Sequence, residues 1–348
     1  AGETLTPLVL FAPNPRQSID GVVATKNRVM LTNNDNVRGR AIILTPGVDK
    51  WSATPLSLPD NATIATVAAT DRSDTPYLSV SGFLAPTTLW SVDAASPAPR
   101  QVKATPARFD AAGLVVLQYE AVSSDGVKIP YFIVHRKDIP LDGSTPTIMT
   151  AYGGFEISNT PSYPAITGKL WLERGNSFVL ANIRGGGEFG PAWHEAGRKT
   201  KRQIIYDDFA AVAQDIFARK LSSPAKFGIY GGSNGGLLMG VEFNQHPELW
   251  NAVVIQVPLL DMIRYERIAA GASWVDEYGS VSVPQEKAFL ETISPYANIR
   301  HGVKYPLPYI WTTPKAARVG AQHARKFAAR LKDYGLPYLF YEDTAGGH

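Results

Sequence analysis

Apolar and β-branched residues fall in short runs along the first third of the chain, at 8–12, 21–24, 28–32, 41–45, 63–68 and 77–80. Turn-forming clusters such as Asn33-Asn34-Asp35-Asn36 and Asp71-Arg72-Ser73-Asp74 separate them, and no helical period of useful length intervenes. The pattern predicts a meander, a sandwich or propeller blades; at roughly 40–45 residues per four-stranded blade, residues 1–115 hold about two to three. From about residue 116 the pattern changes. Strand-like runs at 147–152, 177–182, 226–230, 252–257, 308–313 and 337–342 alternate with helical ones at 204–220, 237–243 and 319–334. That alternation predicts a second domain, 116–348, of α/β class, with a mostly parallel sheet covered on both faces by helices. Ligands of such sheets bind at the carboxyl ends of the strands.

One turn between a strand and a helix carries candidate chemistry. Gly231-Gly232-Ser233-Asn234-Gly235-Gly236 joins the 226–230 run to the 237–243 run. A serine at a sharp strand-to-helix turn adopts a strained backbone, and flanking glycines relieve Cβ clashes. Its Oγ then projects beyond the sheet, where the following amide and the positive end of the helix can stabilise an oxyanion. The bland alternative is a glycine-rich turn whose serine caps the helix. A second glycine motif, Gly185-Gly186-Gly187-Glu188-Phe189-Gly190, has dinucleotide-binding spacing after the 177–182 strand, with Asp207 and Asp208 downstream. No helix is expected at those glycines. The next helical run begins only near Ile204, so the dipole that would hold a pyrophosphate is missing.

Composition narrows the classes. The 34 basic and 31 acidic residues give a net charge of +3 with no block of one sign, which fits a mixed, solvated surface rather than one made for nucleic acid or membrane. With no cysteine, disulfides, thiolate metal sites and a cysteine nucleophile are excluded. The compartment, cytoplasmic or periplasmic, stays open.

Ser233 requires a base. Of the six histidines, His135, His194, His246, His301, His323 and His348, only His348 follows a late strand, on the loop Asp343-Thr344-Ala345-Gly346-Gly347-His348. In α/β-hydrolase order the acid lies between serine and histidine. The loop expected to carry it, after the 308–313 strand, reads Pro314-Lys315-Ala316-Ala317-Arg318-Val319 and has no carboxylate. Glu342 and Asp343 stand too near His348 in the chain to substitute well. A triad without its acid loses the tautomer control and counter-charge of its imidazole, on the order of ten-thousandfold in turnover.

Together these segments resemble the prolyl oligopeptidase family of serine peptidases. The likeness is carried by Tyr152-Gly153-Gly154-Phe155, residues 181–190, the Ser233 turn, Trp274 with Tyr278-Gly279, Ser294-Pro295, Arg318-Val319 and Gly346-Gly347-His348, in family order. It covers residues 116–348 strongly. The resemblance implies an α/β-hydrolase doubly wound sheet preceded by a partial β-propeller, here the carboxyl-terminal part of a longer pattern that lacks the family's closing helix. It implies Ser233 as nucleophile, His348 as general base, and the Asn234 amide with the Tyr152 hydroxyl as oxyanion hole. Trp274 would stack on a substrate proline, with Phe155, Leu259, Tyr278 and Val319 completing the pocket and Arg318 binding a substrate carbonyl. No cofactor or metal is implied. The expected partners are short proline-containing peptides, with no nucleic acid or membrane, and the expected state is a monomer.

The departure is at the acid. Where the family has Asp-Asp-Arg-Val, this chain has Ala316-Ala317-Arg318-Val319. The expectation is a post-proline serine peptidase impaired at its relay; the alternatives are a silent proline-peptide-binding homologue, or an esterase or acylaminoacyl peptidase on the same fold.

Overall fold

The computed structural model describes residues 7–348. Eight strands come first: β1 (Gln17–Ala24), β2 (Val29–Asp35), β3 (Arg38–Thr45), β4 (Ser52–Pro55), β5 (Ala62–Thr70), β6 (Ser73–Gly82), β7 (Thr88–Asp93) and β8 (Ala98–Ala104). They form two four-stranded antiparallel sheets, each in simple chain order. Met30, Ile43, Ile64, Leu78, Val80 and Val92, all at most 3% exposed, form one apolar cluster between the two sheets. The sheets approach closely at Gly39, where a Cβ would stand 2.6 Å from the Ile64 amide nitrogen.

Two sequence expectations change here. Residues 8–12 form no strand, since Pro13 and Pro15 cannot donate to a ladder and Leu8 and Val9 lie exposed. The Asn33–Asn36 cluster is not all turn either. Asn33, Asn34 and Asp35 pair with Arg40, Gly39 and Arg38, and the chain reverses at Asn36-Val37, with φ of 50° and 65°. Two successive positive φ values suit the right-handed twist of a tight hairpin.

The first compact unit ends at Ala111 and also takes in Thr160–Ala165 and Glu188–Gly190; the remaining residues make the second. In the second unit, β9 (Leu114–Val122), β10 (Lys128–Arg136), β11 (Thr147–Thr150), β12 (Ser177–Ala181), β13 (Phe227–Gly232), β14 (Ala252–Gln256), β15 (Leu307–Thr312) and β16 (Leu339–Glu342) form one sheet. Its order is β16-β15-β14-β13-β11-β12-β10-β9. Every pairing from β12 to β16 is parallel, and β10 runs antiparallel to both its neighbours. From β11 the chain proceeds first to β12 on one side, then to β13 on the other. The loops after β11 and β13 therefore diverge at a switch point, where a crevice opens at the carboxyl ends of the strands.

The main helices are Gln203–Ala218, Asn234–Gln245 and Gln322–Asp333. The last begins later than its apolar period suggested, because Gly320 has φ 84°. A five-residue helix, Pro191–Glu195, fills part of the stretch expected to be non-helical; proline at its first position suits a start, and five residues are too few to show a period. Helix Pro284–Thr292 gave no signal in the sequence because only Leu290 is buried on it. Among the described residues no helix is long and apolar enough to cross a membrane.

A buried ion cluster ties the end of β12 to helix Gln203–Ala218. Arg184 donates through Nε (2.9 Å) and Nη2 (2.7 Å) to Asp208 and through Nη1 (2.6 Å) to Asp125, while Ser123 Oγ donates to Asp208 at 2.6 Å. The side chains of Arg184 and Asp208 are 6% and 0% exposed. Replacing Asp208 by alanine removes the buried counter-charge of Arg184 and leaves its guanidinium to the more exposed Asp125, so stability should fall by about 3 kcal/mol, read from the urea unfolding midpoint.

Candidate active site

Ser233 follows β13 directly and opens helix Asn234–Gln245 with φ 58° and ψ −118°, a region that side-chain-bearing residues rarely occupy. Its side chain makes no capping bond, so the bland reading of a capping serine does not describe it. The conformation is held by the backbone: Ser233 N–H donates to Gln256 O on β14 at 3.0 Å, and the Gly236 and Leu237 amides donate to Ser233 O at 2.9 and 3.1 Å. Glycine is required where this turn folds upon itself, since a Cβ on Gly231 would stand 2.6 Å from Gly235 O. The Asn234 amide belongs to the first helical turn, whose N–H groups have no acceptor within the helix.

His348 Nε2 lies 3.2 Å from Ser233 Oγ, so the last loop returns to the elbow. Partial burial, reinforced by the nearby Arg318 charge, holds the His348 imidazole below the usual histidine range. The loop after β15 is tied to the same region, as Thr313 Oγ1 donates to Gly346 O at 2.8 Å. Ala316 on that loop is buried and offers only a methyl group. Glu342 receives Arg325 Nε at 2.9 Å, and Asp343 Oδ1 receives the Ala345 amide at 2.9 Å. The other histidines have different surroundings. His323 is fully buried, accepts the Leu260 and Asp261 amides on Nδ1, and is pushed down to about 4 by burial.

Beside Ser233 is a cavity of about 210 Å³ lined by Tyr152, Phe155, Ile157, Leu259, Trp274, Tyr278 and Arg318. This is smaller than the roughly 300–1,000 Å³ of sites for drug-sized ligands, and it suits a single ring. A larger cavity, about 330 Å³, lies at the far end of helix Asn234–Gln245, and its lining has neither serine nor histidine. Of the residues expected at the pocket, Val319 alone does not line it and is buried in the main core. Ile157 lines it without having been singled out; as an exposed residue in an irregular segment it carries no pattern to read.

The Asn234 side chain works inward. Its Nδ2 donates to Tyr152 O at 2.6 Å, and its Oδ1 accepts from Tyr278 Oη at 2.9 Å and from Arg202. The loop after β11 is thus bound to the loop after β13 through this amide. Asp207 and Asp208, the acids of the dinucleotide-like spacing, are engaged by Gln203 and Ser124 and by Arg184 and Ser123.

Residues 165–348 match the sequence profile of the prolyl oligopeptidase family. An uncharacterized peptidase of Sinorhizobium fredii is 55% identical over 342 residues, which take in 98% of this chain and 47% of the relative. The prolyl endopeptidase of Elizabethkingia meningoseptica is 33% identical over 276 residues, 78% of this chain and 39% of that protein. A solved structure of a post-proline cleaving enzyme from Rickettsia typhi superposes with a TM-score of 0.90 at 37% identity, covering 97% of this chain and 49% of the other. The chain spans about half the length, or less, of the curated relatives it matches. In that light the eight-stranded sheet is an α/β-hydrolase sheet and the two antiparallel sheets are part of a β-propeller, as the family resemblance implied.

The elbow can be tested by itself. Gly231→Ala drives a methyl into Gly235 O and should cost on the order of 1–3 kcal/mol, read from the unfolding midpoint. The same variant should lose reactivity of Ser233 toward a fluorophosphonate. Unchanged reactivity would show that the turn tolerates a side chain there.

Proposed function

The chain belongs to the prolyl oligopeptidase family of serine peptidases, and from that premise we propose that Ser233 is the nucleophile of a site that cleaves short peptides after proline. The observation that carries this reading is His348 Nε2 at 3.2 Å from Ser233 Oγ, at the rim of a ring-sized aromatic cavity. Ser233 Oγ attacks the carbonyl carbon of the prolyl residue while its proton passes to His348 Nε2. The oxyanion that forms takes hydrogen bonds from the Asn234 amide and the Tyr152 hydroxyl. His348 then returns the proton to the departing amine, the C–N bond breaks, and an acyl-serine remains for water to hydrolyse by the reverse sequence.

The pocket chemistry suits proline. Trp274 offers an indole face to a rigid ring, Phe155, Leu259 and Tyr278 supply apolar walls, and proline brings no amide hydrogen that would need an acceptor there. The exposed Arg318 guanidinium at the mouth is a donor for a substrate carbonyl. Two of the names among the relatives, prolyl endopeptidase and post-proline cleaving enzyme, agree with this specificity.

A second reading has one observation in its favour, the buried methyl of Ala316 where the family carries its acid. On that reading the site binds proline-containing peptides and does not turn them over. The two separate experimentally: Ala316→Asp should raise turnover of a prolyl substrate by roughly 10³- to 10⁴-fold if the relay lacks only its acid. Binding that depends on Trp274, with no gain from Ala316→Asp, selects the second reading. Substrates identical except for alanine or proline before the scissile bond test for an esterase or acylaminoacyl peptidase, which would not prefer proline.

The pH dependence has a defined sign. His348 accepts a proton only when neutral, and burial together with Arg318 lowers its pKa. Ser233 modification by a fluorophosphonate should therefore persist below pH of about 6.5, the ordinary histidine midpoint. Arg318→Met should move that acid limb upward, and an unmoved limb would remove Arg318 from the electrostatics of the base.

A further inference from the structure

Behind the pocket wall lies a buried charged chain to which the proposed chemistry assigns nothing. Phe155 and Glu156 have φ of 58° and 56°, two successive residues in the left-handed region, and Gly153 just before them has φ 64°. Such residues cost on the order of 1–3 kcal/mol each and persist only where their surroundings hold them. Here the Phe155 amide donates to Glu277 Oε1 at 3.0 Å, and Arg202 Nη1 donates to the same oxygen at 3.0 Å. Arg202 Nη2 donates to Gly153 O at 3.1 Å and to Asn234 Oδ1. His194 Nε2 meets the other Glu277 oxygen at 2.7 Å.

The cluster is dry. Arg202 is 1% and Glu277 5% exposed. Burial opposes ionisation of Glu277, yet the Arg202 charge, His194 and the Phe155 amide outweigh it and hold the carboxyl below its usual range. An ionised carboxylate only accepts, so Nε2 of His194 carries the hydrogen between them. Tyr278, the next residue, donates to Asn234 Oδ1 and packs edge-on against Phe155 at 5.6 Å. One carboxylate is thereby joined to the turn after β11, the pocket wall and the residue after the nucleophile.

We propose that Glu277, clamped between Arg202 and His194, is a positioning residue for acylation: it sets the Gly153–Phe155 turn and the Asn234 side chain before substrate arrives. Tyr152 is fixed from both sides by this arrangement, through the turn that follows it and through Asn234 Nδ2 on its carbonyl. The proposal rests on the reading of Ser233 as nucleophile, and one arm of its test does not.

The test compares the full chain with its Glu277→Gln and His194→Gln variants. His194→Gln leaves the Arg202–Glu277 pair intact and carries the test should Glu277→Gln fail to fold. Amide hydrogen exchange is followed over 152–159 and, as a reference, over β13 and β14. Ser233 modification is followed as a function of fluorophosphonate concentration. Exchange at 152–159 should rise about tenfold or more with the reference strands unchanged. The limiting rate of modification should fall about 10- to 100-fold with little change in the half-saturating concentration, as expected when donors are misplaced rather than binding lost. Exchange that is unchanged, or that rises equally in β13 and β14, overturns the proposal, and so does a loosened turn with an undiminished limiting rate. If the unaltered chain does not react at Ser233, the peptidase reading fails, and the exchange arm alone decides whether Glu277 holds the turn.

Discussion

A serine backbone held at φ 58° and ψ −118° is the constraint around which the second unit is built. The conformation is unfavourable by itself, so strand, helix and neighbour must impose it together. Strand β13 delivers the chain to the carboxyl edge of the sheet, and the Gln256 carbonyl on β14 captures the Ser233 amide. The helix that follows can begin at once only because Gly231 and Gly235 allow backbone to touch backbone. Sheet order then determines what else is near. Because the chain passes from β11 to opposite sides of the sheet for β12 and β13, the loop bearing Tyr152 lies next to the loop bearing Ser233.

The second requirement is electrostatic. Asn234 points its amide group away from solvent, and an unpaired amide there would cost a few kcal/mol. Its partners, Tyr278, Arg202 and the Tyr152 carbonyl, satisfy it, but Arg202 brings a full buried charge that itself needs a counter-ion. Glu277 answers that charge, and it also accepts from Phe155 and His194. Each group added to satisfy the last recruits a further segment, until residues from 152 to 278 share one network. Removing one member therefore strands another, which is why such clusters respond as units rather than as sums of pairs.

The alternation of strand and helix in the second unit was legible because apolar runs of strand length alternate with longer helical ones between turn residues, and so was the elbow, whose backbone contacts require its glycines. The antiparallel sheets were legible as β structure from their short apolar runs. Helix Pro284–Thr292 was not, as a helix with one buried residue leaves no stripe. The pocket residues could be named through family order but not through pattern, since Trp274, Leu259 and Tyr278 lie far apart in the chain and each alone reads as core. Arg202, Glu277 and His194 escaped for a related reason: pairing across 75 and 83 positions leaves no local spacing, and buried charges look like surface charges in a sequence.

Ala316 separates geometry from proton transfer. The loop that holds it closes by backbone bonds, Ala316 N–H to Thr313 O at 3.2 Å and Gly320 N–H to Ala316 O at 2.8 Å, so no carboxylate is needed to shape it. On the proposed reading, what an alanine at 316 withholds is the counter-charge for an imidazolium. In its absence the groups acting on His348 are burial and Arg318, and both favour the neutral ring. A ring kept neutral is available as an acceptor at lower pH, but it is also a weaker base and draws the serine proton with less driving force. Availability and strength thus move in opposite directions. Even with the relay incomplete, oxyanion donors and substrate orientation alone retain about 10³- to 10⁴-fold over the uncatalysed reaction in serine peptidases whose triads have been dismantled. On the proposed reading, that remainder of rate would depend on how firmly the turn at Gly153–Phe155 and the elbow at Ser233 are held, and the bonds that hold them do not involve Ala316.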